Sequence, residues 1–121
     1  MSDIGLLPRL ALIQGLFYVA TGLWPIIEID SFQAVTGPKT DLWLVRTVGV
    51  LVTVIGAVLI SAARRRRVTD EIVLLAIGSA LGLAAIDLVY ALSGRISAIY
   101  LADAAVEIGL AALWGSARAR G

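Results

Sequence analysis

The sequence predicts an all-α fold: an integral membrane four-helix bundle with up-down-up-down topology and both termini in the cytoplasm. Hydrophobic residues make up 60% of the 121-residue chain, against roughly 45 to 50% in an average soluble domain. Four apolar stretches are each long enough to cross a bilayer, since about 20 residues at ~1.5 Å rise cover its ~30 Å hydrocarbon core. The later links are short, which makes consecutive spans antiparallel neighbours.

The whole chain is predicted to form one membrane domain with four spans. These spans cover residues 6–27, 42–63, 72–93 and 96–117. The outer loop after the first span, residues 28–41, is long for so small a protein. In this loop Ser31 is a candidate N-cap and Gly37-Pro38 a helix stop, so a short interfacial helix is expected at residues 32–36.

The positions of the basic residues predict the orientation, because Lys and Arg are enriched in cytoplasmic loops. With a cytoplasmic N-terminus, the cytoplasmic side receives Arg64 to Arg67, Arg118 and Arg120. The outer loops receive only Lys39 and Arg95. We interpret the RRRR run as a topology anchor, with binding of anionic lipid headgroups as the alternative. The N-terminus is expected to be retained, since it lacks the features of a signal peptide.

Residue types that are absent exclude several chemistries. The chain contains no Cys and no His, and its one Met is the initiator. Disulfides, Cys-based redox cycling, zinc sites built on Cys or His and the usual axial ligands of haem are therefore excluded. The net charge of +1 argues against a nucleic-acid partner. No catalytic residue, cofactor or metal site is predicted, and an enzyme acting alone is not expected.

Each span carries one polar stripe of side chains spaced three or four residues apart. Ionisable side chains in lipid are costly and face the bundle interior or a wet cavity, so the four stripes are expected to converge. The candidate ligand- or proton-binding residues are Gln14 and Tyr18 on the first span, Arg46 and Thr53 on the second, Asp87 and Tyr90 on the third, and Tyr100, Asp103 and Glu107 on the fourth.

Acids outnumber bases in this predicted polar core. Arg46, Asp87 and Asp103 fall at similar depths, and Glu107 lies one turn deeper. Arg46 is expected to pair with Asp87 or Asp103, whereas Glu107 lacks an obvious cation and is expected to be largely protonated. One interpretation is a closed network that fixes helix register without a ligand. The other is a cavity that opens outward from Glu107 past Asp103 and Arg46, under the loop that contains SFQAVTG (31–37). This cavity would bind a small hydrophobic or cationic molecule, a lipid or a proton, because surplus acids are costly unless protons or a cation neutralise them.

Glycine spacing predicts close contacts between helices in the lipid bilayer. Small residues let backbones approach, and a homodimer interface is one form of such a contact. The candidate pairs are Gly15 with Gly22, Gly49 with Gly56, and Gly78 with Gly82.

Two stretches of the chain resemble a known family. The segment PRLALIQGLFYVATGLW (8–24) resembles the first span of DoxX-like four-helix bacterial membrane proteins, with an Arg-Leu start and two glycines at similar spacing, and VRTVGVLVTVIGAVL (45–59) resembles them more loosely. Other uncharacterised four-span families are similar in composition. The resemblance implies a bacterial inner-membrane location and an accessory or structural subunit of a membrane complex that accompanies a redox enzyme.

A third functional class follows from size and span number, which are similar to those of the small multidrug resistance transporters. This similarity implies a small proton-coupled transporter acting as an oligomer. Those transporters carry their essential glutamate in the first span. Here the first span has Gln14, and the membrane carboxylates lie on spans three and four.

Overall fold

Five α-helices make up the protein in the computed structural model, which describes the backbone of residues 2–120 and the side chains of residues 5–119. In chain order the helices are α1 (Ser2–Ile27), α2 (Ile29–Thr36), α3 (Leu42–Arg64), α4 (Asp70–Leu92) and α5 (Ile99–Arg120). No strand occurs in the described backbone. The prediction of an all-α helical bundle is therefore confirmed.

The ends of the helices follow from local hydrogen bonds. The side chain of Glu28, and not that of Ser31, caps α2 by accepting a bond from the Ser31 backbone N–H, so the helix begins at Ile29. The fourth long helix begins three residues later than the expected 96, because a turn through Gly94, at φ 79°, precedes it. Only glycine adopts this left-handed conformation without a Cβ penalty.

Four of the helices are long and apolar enough to cross a membrane, and they cover Gly5–Ile27, Leu42–Arg64, Asp70–Leu92 and Ile99–Ala119. Large apolar side chains are exposed on the outside of each, including Leu16, Leu51, Leu74 and Leu113. The helices of a soluble bundle instead present polar faces to water. The length of these helices and the apolar surface they expose support a multi-pass membrane protein.

Helices α1 and α3 pack against each other through two reciprocal glycine contacts. A Cβ atom on Gly22 would lie 2.7 Å from the carbonyl oxygen of Gly49, and one on Gly56 would lie 2.7 Å from that of Gly15. No side chain fits at these distances, so the two backbones touch. The seven-residue spacing of glycines on each helix thus sets the separation of α1 and α3.

The glycines of α4 do not contact another helix. A Cβ atom on Gly78 or Gly82 would meet no neighbouring helix within 4 Å, and both residues are exposed. The helix contact predicted for this pair is therefore not made within the described part of the chain. A homodimer through this face stays a prediction.

The end of the bundle away from α2 is closed by a hydrophobic cluster. Its members come from α1, α3, α4 and α5, and they are Leu10, Ala11, Leu59, Ala63, Val73, Ala76, Trp114 and Ala117. The side chain of Trp114, the largest of them, is fully buried. This closed end contrasts with the half of the bundle under α2, which contains a cavity.

Candidate functional site

A cavity of about 490 Å³ lies in the half of the bundle that α2 covers, and all five helices contribute to its lining. This volume lies within the range of about 300 to 1,000 Å³ that is typical of small-molecule sites. Most of its wall is apolar, with Phe17, Val52 and Leu83 among the lining residues. Val48 and Val106 line it too, and each is about half exposed on the outside of the bundle. The cavity is therefore open at its side, near α3 and α5.

Three carboxyl groups form the floor of this cavity. The side chains of Glu107 and Asp87 are buried, with 2% and 5% of their surface exposed. The carboxyl group of Asp103 lines the same cavity. Oxygen Oδ2 of Asp87 is buried and has no hydrogen-bond partner among the described residues. Two of the three carboxyl groups are thus buried, and none of the three forms an ion pair with a described cationic side chain.

A tyrosine from α1 holds the deepest of these carboxyl groups. Tyr18, which is fully buried, donates a hydrogen bond from Oη to Oε1 of Glu107 over 2.7 Å. The bond connects α1 to α5 and fixes the orientation of the Glu107 side chain. The position of Glu107 at the base of the cavity is therefore set by two helices.

A second polar layer lies beneath the carboxyl groups and is fully hydrogen-bonded. The Gln14 side chain donates from Nε2 to the carbonyl oxygen of Ala76 over 3.0 Å and accepts a bond from Nε1 of Trp114 over 2.8 Å. Both ends of the buried amide are thus satisfied, as stable buried networks require. This layer joins α1, α4 and α5 and separates the cavity from the hydrophobic cluster.

A lysine side chain places a positive charge in the roof of the cavity, the part formed by α2 and the loop after it. Lys39, in the loop after α2, donates from Nζ to the carbonyl oxygens of Thr36 and Gly37 over 3.1 Å and 2.9 Å. The same ammonium group lies 5.8 Å from the ring centroid of Phe32 and 5.2 Å from that of Tyr100, within the range of cation–π attraction. Aromatic rings at the mouth of this cavity are therefore arranged so that they accommodate a positive charge.

Most of the side chains predicted to meet in the polar core do so. Tyr18, Asp87, Tyr100, Asp103 and Glu107 all line the cavity. Gln14 supports it from below through its bond to Trp114. The segment SFQAVTG (31–37) covers the cavity as predicted, since Phe32, Val35 and Thr36 line it. The role of Lys39 was not predicted, because the sequence identified this residue only as a charge of the outer loop.

The predicted ion pair of Arg46 is wrong. Arg46 is exposed, and the only ion pair among the described side chains joins Arg118 to Asp70. The physical reason is the packing of α3, whose glycines face α1 and whose Arg46 points away from the cavity into the surroundings. Neither Asp87 nor Asp103 therefore has a cationic partner in the described part of the chain.

Two further predicted residues, Thr53 and Tyr90, also lie outside the cavity. The hydroxyl group of Thr53 donates to the carbonyl oxygen of Gly49 in its own helix over 2.7 Å, and the residue packs against Gly22 in the α1–α3 contact. Tyr90 is 40% exposed on the outside of α4. A residue three or four positions from a buried residue lies on the same side of its helix. It still stays outside the core when the contact with the neighbouring helices is narrower than that side.

Within residues 5–119, no group of three His, Cys, Asp or Glu side chains is arranged to hold a metal ion. Comparisons with protein-family models, with curated proteins and with solved structures found no match for the chain. The resemblance to DoxX-like proteins stays a prediction.

Proposed function

We propose that this protein is a multi-pass protein of a bacterial inner membrane that binds a small amphipathic cation in the cavity under α2. The observation that carries the proposal is the group of three carboxyl side chains, Asp87, Asp103 and Glu107, at the floor of a mostly apolar cavity. An apolar wall favours the hydrocarbon or aromatic part of a ligand, and a few convergent polar groups orient it. Here those groups are acids, so the complementary ligand is positively charged.

The unpaired state of the acids favours binding over a closed structural network. A network that only fixes helix register gains nothing from a buried oxygen without a partner, as Oδ2 of Asp87 is. The layer of Gln14 and Trp114 beneath it illustrates a purely structural arrangement, since every polar atom of the amide is bonded. Lys39 borders the same cavity but forms no ion pair with these acids, so a cation seated among the carboxyl groups would supply the direct counter-charge.

The closed end of the bundle favours binding over transport. The Gln14 layer and the hydrophobic cluster around Trp114 block the way from the cavity to the opposite end. A transporter needs alternating access from both sides of the membrane. Because the carboxyl groups are reached from one side only, we propose a binding protein that takes its ligand from the outer half of the membrane or from the external solution.

The proposed orientation places α2 and the cavity outside the cytoplasm and the RRRR run inside. Since the chain has no Cys, single cysteines report position without interference. In spheroplasts, an impermeant maleimide should label Thr40→Cys and Arg95→Cys but should label Arg67→Cys only after the membrane is permeabilised. The reverse labelling pattern would place the cavity in the cytoplasm, and equal labelling of all three would contradict membrane insertion.

The ligand class is tested with three probes that share a benzyl group and differ in charge: benzyltrimethylammonium, benzyl alcohol and phenylacetate. Calorimetric titration of the full chain in nanodiscs should show saturable binding of the cation. The neutral alcohol should bind at least roughly tenfold more weakly, because a contact between opposite charges at ~4 Å near a protein surface is worth ~4 kcal/mol before desolvation. Phenylacetate should not bind. Equal binding of the cation and the alcohol, or a preference for the anion, would contradict the proposal.

A further inference from the structure

A second candidate site lies at the opposite end of the bundle, where arginines from two helices meet. Arg9 of α1 and Arg64 and Arg66 at the end of α3 line one depression of about 330 Å³, with Pro8 and Leu12 on its apolar side. Arginine presents planar N–H donors that match the oxygens of a phosphate group. Three arginines around one depression therefore form a site for an anionic phosphate.

No acidic side chain in the described part of the chain neutralises these arginines. The one ion pair among the described side chains joins Arg118 to Asp70. Arg9, Arg64 and Arg66 therefore form no ion pair with a described carboxylate. All three are exposed. Their charges are therefore available to an external anion, and each would gain a charge-assisted hydrogen bond from it.

The backbone at Arg66 supports a role for its side chain. The chain leaves α3 through hydrogen bonds from the N–H of Arg66 to the carbonyl oxygen of Ala63 and from the N–H of Arg67 to that of Ala62. This is the Schellman arrangement, in which the residue at the position of Arg66 adopts a left-handed conformation and is usually glycine. Arg66 adopts it, at φ 54°, although a Cβ atom is unfavourable there. Glycine would close this helix with less strain, and the arginine at this position places its side chain in the lining of the depression.

A groove of mixed polar and apolar lining continues from the arginines along the bundle. A second depression of about 540 Å³ shares Arg64 with the first, and Ser61 and Arg65 border it together with the apolar side chains of Ala57, Ile60 and Val19. A ligand that fills both depressions carries an anionic phosphate at one end and a hydrocarbon chain at the other. We propose that this seam binds one molecule of an anionic phospholipid, with its phosphate held by Arg9, Arg64 and Arg66 and an acyl chain along the groove. The inference rests on the proposed membrane insertion, which the cysteine labelling tests separately.

The test is native mass spectrometry of the full chain in detergent, titrated with dioleoyl phosphatidylglycerol, with the phosphatidylcholine of the same chains, or with inorganic phosphate. We expect one molecule of phosphatidylglycerol to bind in preference to phosphatidylcholine. Arg66→Gly removes the side chain while relieving the strained backbone, so it should leave thermal stability unchanged or raised. It should nevertheless weaken phosphatidylglycerol binding roughly fivefold or more, the share of one arginine at an anionic surface, whereas Arg67→Gln, which borders neither depression, should change it by less than about twofold.

The two variants separate a built site from a diffuse basic belt. Equal weakening by Arg66→Gly and Arg67→Gln would mean that the arginines act only as a charged belt, and the inference would be wrong. Ala57→Trp fills the groove and should weaken binding of phosphatidylglycerol while leaving that of inorganic phosphate unchanged. If inorganic phosphate binds as tightly as the lipid and Ala57→Trp has no effect, the ligand is a free phosphate ion and the lipid inference fails.

Discussion

Gly22→Ala is expected to destabilise the bundle severely, although the substitution adds only one methyl group. That carbon atom would lie 2.7 Å from the carbonyl oxygen of Gly49 and 2.8 Å from the backbone nitrogen of Thr53. Both are backbone atoms of α3, so the clash is relieved only if α1 and α3 move apart along their whole contact. Overpacking costs typically ~1 to 3 kcal/mol, occasionally more. A clash with two backbone atoms belongs at the upper end of this range.

The matched control is Gly82→Ala on α4. A Cβ atom there meets no neighbouring helix within 4 Å, and replacing a glycine inside a helix by alanine favours the helix by up to ~1 kcal/mol. The control should therefore be neutral or stabilising. The measurement is the loss of ellipticity on heating or on titration with sodium dodecyl sulfate. If the two variants unfold together, the glycine contact between α1 and α3 does not hold the bundle.

The sequence supports a large part of the fold because lipid-spanning helices have a strong signature. The long apolar runs and the short turns between them predict the four long helices. The contact between α1 and α3 is predicted by the spacing of Gly15, Gly22, Gly49 and Gly56. The acids of the last two spans converge as expected, since burying Asp87 or Glu107 anywhere else would leave a charge in apolar surroundings.

The details of the site depend on helix rotation and on the path of the loop, and neither is encoded in residue spacing. Arg46 shares a stripe with Gly49, but close glycine packing on α1 turns the arginine outward. Lys39 follows a Gly-Pro stop and reads as a loop charge, yet the chain folds back over the cavity. The one available signal was the spacing of Phe32 and Thr36, which places both on the same face of α2.

Replacing acids of the cavity floor is expected to abolish cation binding without unfolding the protein. In Glu107→Gln the amide oxygen still accepts the bond from Tyr18, so folding should be nearly unchanged. Asp103→Asn removes one further carboxylate from the lining of the cavity. Each variant lowers the negative charge available to a cation, and we expect binding of benzyltrimethylammonium to weaken at least roughly tenfold, as for one lost contact between opposite charges. The matched control is Asp41→Asn, an exposed acid that does not line the cavity.

The same acids predict how binding depends on pH. Asp87, Asp103 and Glu107 line one cavity together with Lys39, and Tyr18 donates to Glu107. A bound cation favours the ionised form of a carboxyl group over its protonated form. Because binding then releases protons from any carboxyl group that still holds one, affinity should rise with pH, by up to about tenfold per pH unit for one proton released.

The most direct measurement is the number of protons released when benzyltrimethylammonium binds the full chain in nanodiscs. This probe carries a fixed charge and cannot exchange a proton itself. Calorimetric titrations at pH 7 in two buffers of different ionisation enthalpy give the number. We predict that the wild-type protein releases a fraction of a proton up to about one, that Glu107→Gln releases less at unchanged thermal stability, and that Asp41→Asn matches the wild type. Absence of binding, or binding with no proton released from the wild type, would contradict a cation site built on these carboxyl groups.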